Sequence, residues 1–61
     1  MILKELGDER HFVLVNDEHP VRRLYQRSGV HPISKELVRA VDSTGAITYF
    51  DDSVEIIWVR I

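Results

Sequence analysis

The side chains of this 61-residue chain that could do chemistry are three histidines, a short acidic cluster, four serines and a set of arginines. His11, His19 and His31 stand 8 and 12 positions apart. A helix brings together residues three or four apart, and a strand those two apart. These histidines could therefore converge only through tertiary folding, and no metal site is expected from them. The chain has no cysteine, so thiolate zinc and disulfides are excluded. Asp51, Asp52 and Glu55 offer oxygens of the kind hard cations take. The same Asp-Asp-Ser run is what a tight turn uses, because short polar side chains bond the turn backbone. Turn chemistry is the expectation.

Ser28, Ser34, Ser43 and Ser53 lie outside any Gly-x-Ser-x-Gly elbow. The three glycines are isolated and make no phosphate cradle. A chain this short also leaves little room for a pocket of about 300 Å³ or more. No enzymatic activity, cofactor or metal is expected.

The arginines carry the most specific chemical hint. The net charge is only −2, but it is unevenly placed: both ends are acidic and the centre is basic. Arg22, Arg23, Arg27, Lys35 and Arg39 could form one patch. Guanidinium groups take phosphate bidentately, and Tyr25 or Trp58 could stack on a base. If 20–28 and 34–41 were both helices, Gly29-Val30 would sit in the turn of a helix-turn-helix, with 46–61 as a wing. Against this, the whole chain is slightly acidic, whereas nucleic-acid binders carry a strongly basic footprint. The plainer reading is that the arginines neutralise acidic groups of the chain itself or of a partner subunit.

These residues must be held by elements the sequence marks unevenly. Residues 1–6 and 10–15 read as the arms of an N-terminal hairpin about Gly7-Asp8-Glu9, although 1–6 would also suit a short helix. The second arm is rich in β-branched and aromatic residues. Asn16 to Pro20 breaks the chain. Over 20–41, Pro20 and Gly29 could bound a helix with Val21, Leu24 and Tyr25 on one face. Ser34 could cap another, yet 37–41 is dense in β-branched residues and reads as strand. Asp42-Ser43-Thr44-Gly45 fits a type I turn closed by a left-handed residue, with Asp42 bonding the turn backbone. Strands follow at 46–50 and 54–61, separated by Asp51-Asp52-Ser53. The fold class expected is mainly β, with α+β as the variant. It is a small antiparallel sheet of an N-terminal hairpin and a C-terminal three-stranded meander, with one or two short helices between residues 20 and 41, all in one domain over 1–61.

The last strand bears on function. One face carries Val54, Ile56, Trp58 and Arg60, and the other Glu55, Ile57, Val59 and Ile61. Both are mostly apolar, whereas a half-solvated antiparallel strand alternates. Both faces therefore need cover, either from the sheet curling into a small barrel or sandwich or from a helix on one face and a second subunit on the other; the plainer reading is a central strand in a tight monomer. A chain this short has few atoms to supply it.

The strands of 37–60 resemble those of SH3-like and Sm-like barrels, a likeness of architecture that implies no function. Phe12-Val13-Leu14-Val15-Asn16-Asp17-Glu18 resembles the opening strand of the MbtH-like proteins. That likeness covers seven residues, and the family's later tryptophan motifs are missing, so no membership follows.

The function expected is a small non-catalytic protein-interaction module. It would self-associate as a homo-oligomer or bind a protein partner through an apolar sheet face, with Tyr49, Phe50, Ile56, Trp58, Val59 and Ile61 at the interface. The competing reading is a nucleic-acid-binding regulator using Arg22, Arg23, Arg27, Lys35 and Arg39. No apolar run approaches the about 20 residues of a membrane span. With no signal-peptide pattern at the start and no cysteine, a cytoplasmic location is expected.

Overall fold

The computed structural model of the chain describes residues 1–18 and 20–61. It is mainly β, as expected: five antiparallel strands form one sheet, preceded by a single turn of 3-10 helix at Leu3–Glu5. The strands are β1 (His11–Leu14), β2 (Tyr25–Val30), β3 (Leu37–Asp42), β4 (Ile47–Asp51) and β5 (Ile56–Val59). Their order across the sheet is β4-β3-β2-β1-β5. No helix among the described residues is long and apolar enough to cross a membrane.

Strands β3 and β4 form the hairpin that Asp42 and Gly45 mark. Gly45 has φ +87°, and its N–H bonds the Asp42 carbonyl at 3.0 Å. Asp42 Oδ1 accepts from Thr44 Oγ1 at 2.6 Å, from the Thr44 N–H at 2.9 Å and from the Ala46 N–H at 3.1 Å. The Thr44 hydroxyl and then the backbone N–H groups hold the exposed Asp42 carboxyl below its usual pKa, because each bond favours the charged form. At the next turn, Asp51 Oδ1 accepts from the Ser53 hydroxyl and N–H. The Asp-Asp-Ser run thus bonds as a turn.

Three expectations are corrected. The first is the meander's last step, since β5 does not pair with β4. The sheet curls, and residues 52–55 carry the chain from the β4 edge to the β1 edge, where Leu14 pairs with Ile56 and Phe12 with Trp58. This places the Ile56 side chain in the core at 1% exposure.

The second correction concerns the N-terminal hairpin, whose first arm is no strand. A 3-10 turn repeats every three residues, so Leu3 and Leu6 point the same way. Both are buried, while Lys4 and Glu5 face solvent. The turn lies against the β4–β5 connection: Leu3 N–H bonds the Val54 carbonyl and Lys4 N–H the Asp52 carbonyl. One bridge, Ile2 to Glu55, is all the pairing this segment makes with the sheet.

The third correction is that no helix forms between residues 20 and 41. A helix there would set Arg23 and Arg27 at i, i+4, where like charges repel. As strand, Tyr25 stacks on Phe12 at 5.6 Å and meets Phe50 edge-on at 5.0 Å. These rings, with Leu3, Leu6, Val38, Ala40 and Ile56, form the core. The register of β2 on β3 shifts by one residue between Arg27 and Val30, and Gly29 there has φ +83°. Only a residue without a Cβ enters that region cheaply, and the extra residue bends β2 to follow the curl.

Candidate functional site

Alternation assigns the sheet an inner and an outer side. Phe12, Tyr25, Val38, Ala40 and Ile56 point inward and are buried. The outer side carries a row across all five strands, Ile47–Val41–Gln26–His11–Val59, each paired with the next. Beside it Val13 pairs with Ile57. Ile47 is 50% exposed, Ile57 46% and Ile61 84%. The sheet's own curl therefore covers one face of β5 and leaves the other largely exposed.

The six expected interface residues divide accordingly. Ile56 is sealed in the core and cannot reach a partner of the folded domain. Phe50 is half-buried against Phe12 and Tyr25. Tyr49 is exposed on β4, at the far edge from β5, with the His31 ring against it at 5.0 Å. Trp58, Val59 and Ile61 do come together, at the end of β5.

There they line an open cleft of about 380 Å³ with Glu9, Arg10, His11 and Arg60. Two guanidinium groups converge on the indole of Trp58, Arg60 at 4.3 Å and Arg10 at 5.7 Å from the ring centroid. Such contacts orient the cations but leave their hydrogen-bond donors free. Among the described residues neither arginine joins an ion pair, whereas Arg27 pairs with Asp8.

Edge geometry adds to this. Ile56 N–H bonds the Met1 carbonyl on the side of β5 away from β1, and the Glu55 carbonyl accepts from Val15 on the β1 side. Backbone groups alternate sides along an antiparallel strand. The Trp58 N–H and C=O therefore face outward along the open part of the edge, beyond the segment that Met1 and Ile2 cover.

The five basic residues of the competing reading do not converge. Arg22 and Arg23 precede β2 and Lys35 follows it, and six strand residues separate these ends by about 20 Å. Arg27 is tied inward: its guanidinium donates to the Leu6 carbonyl, and its Nε lies 3.3 Å from Asp8. Asp8 also takes the Gly29 N–H at 3.0 Å, so this arginine fastens the 3-10 segment to the β2 bulge. Arg39 is half-buried opposite Tyr49.

Of the histidines, His11 lies on β1 and lines the cleft, whereas His31 Nδ1 accepts from the Ile33 and Ser34 N–H groups. His19 lies outside the described residues. No group of three or more His, Asp or Glu residues able to hold a metal occurs among the described residues.

Sequence reasoning missed Arg10, Ile57 and Arg60. Arg60 was legible, since it stands two residues from Trp58 and therefore on the same strand face. Arg10 was not, because its approach depends on β1 lying beside β5. No family model, curated protein or solved structure matches the chain.

Proposed function

We propose that this protein is a small interaction module without a catalytic step, which takes a second copy or a protein partner on the outer, apolar side of its sheet along β5. The observation that carries this reading is the contrast within β5. Ile56 is 1% exposed, and its neighbour Ile57 is 46% exposed beside Val13 and Val59. Contiguous apolar surface of this kind is removed from water by association, at about 25 cal/mol per Å².

Sedimentation from micromolar to millimolar concentration tests the self-association arm. A mass rising above the 7.1 kDa monomer, and abolished by Ile57→Lys, supports it. A monomer throughout removes self-association and leaves a partner of different sequence.

A further inference from the structure

The β5 end of the sheet holds three features that no single structural role explains. Its edge is open at Trp58, its outer residues are apolar, and two arginines without acidic partners meet on one indole. An open edge accepts an extended segment through backbone hydrogen bonds, and pockets for alternate side chains then give specificity. Side chains of an added strand alternate as those of β5 do. Residues next to Ile57 and Val59 would face the outer apolar side. Those next to Trp58 and Arg60 would face the cleft that Glu9, Arg10, His11 and Arg60 line, where the two arginines outnumber the one glutamate.

We propose that β5 receives an extended peptide segment alternating apolar and acidic residues, with one carboxylate seated between Arg10 and Arg60 beside Trp58. This rests on the interaction-module reading and gives its partner a chemistry. Charge complementarity selects the carboxylate. Guanidinium groups already held against a ring lose less freedom on binding, and their forked donors fit a carboxylate bidentately. The β4 edge also exposes apolar residues, Ile47 and Tyr49, but no arginine pair stands beside it.

Trp58 is the one tryptophan of the chain, so its fluorescence reports on the site directly. The probes are blocked heptapeptides: Val and Glu alternating, Val and Lys alternating, Val and Thr alternating, and the Val-Glu peptide with a central proline. The expected result is a saturable Trp58 change with the Val-Glu peptide. Arg60→Ala and Arg10→Ala should each weaken it about tenfold, the loss of one charge-assisted contact. The Val-Lys and proline peptides should show no binding, since proline removes the N–H the edge needs. Circular dichroism confirms that the variants remain folded.

If the Val-Thr peptide binds as well as Val-Glu, the acidic preference is overturned while the edge as a docking site survives. If no peptide binds up to millimolar concentration, the proposal fails, whatever sedimentation shows of self-association. If an oligothymidylate binds the same site more tightly than the Val-Glu peptide, the peptide assignment is overturned in favour of nucleic acid.

Discussion

Ile56 and Ile57 are adjacent, identical in composition and opposite in fate. Ile56 closes the core with Leu14 and Phe12, and Ile57 faces solvent beside Val13. The arginines divide in the same way. Arg27 is spent inside the molecule, tying the Leu6 carbonyl and Asp8 to β2, whereas Arg60 lies on the Trp58 face with no acidic partner. One member of each pair serves the fold and the other serves the surface. An apolar or charged residue in so short a chain therefore cannot be assigned a purpose by type; its side of the sheet decides.

Substitutions within these pairs sharpen the contrast. Ile56→Ala should have the largest effect, about 2–5 kcal/mol of lost stability in denaturant unfolding. A domain of this size holds only about 3–9 kcal/mol in all. The variant would then be partly or wholly unfolded, and a cooperative transition close to the parent's would break the account. Arg27→Ala should cost about 1–3 kcal/mol, because it leaves the part-buried Leu6 carbonyl without its donor.

Asp42, on β3 at the opposite edge region from β5, provides a control by pH. Its folded pKa is depressed, so its contribution is fully present above the ordinary carboxylate pKa. It is lost as pH falls through the lower folded value. Asp42→Asn should flatten that part of the acid limb of the stability profile, and Ile57→Thr should leave it unchanged. The smallest effects belong to the surface members. Ile57→Thr and Arg60→Ala should each shift monomer stability by no more than about 0.5 kcal/mol, as exposed substitutions do. A loss of several kcal/mol from either would show that the outer side serves the fold after all.

Much of the sheet was legible in the sequence because local chemistry fixed it. Asp42 and Gly45 set one hairpin, Asp51 and Ser53 set the next turn, and β-branched runs marked β1, β3, β4 and β5. The errors arose where distant contacts override local preference. Tyr25 suits a helix face in isolation, yet two aromatic rings, Phe12 of β1 and Phe50 of β4, hold it in a strand. Leu3 and Leu6 suit either element until the core of the curled sheet takes both side chains. The same limit governed the site. Trp58, Val59 and Ile61 could be read from one strand, but which face was free depended on whether β5 paired with β4 or with β1. That choice separates Ile56 from Ile57 and brings Arg10 to Trp58.

The central claim is that the edge of β5 at Trp58 is open and receives a partner strand. Amide hydrogen exchange at that residue tests it most directly. In the free protein the Ile57 and Val59 amides, bonded to β1, should be protected and the Trp58 amide should exchange rapidly; the Val-Glu peptide should then slow Trp58 selectively. A Trp58 amide already protected in the free monomer, or one whose exchange the bound peptide leaves unchanged, would contradict the account.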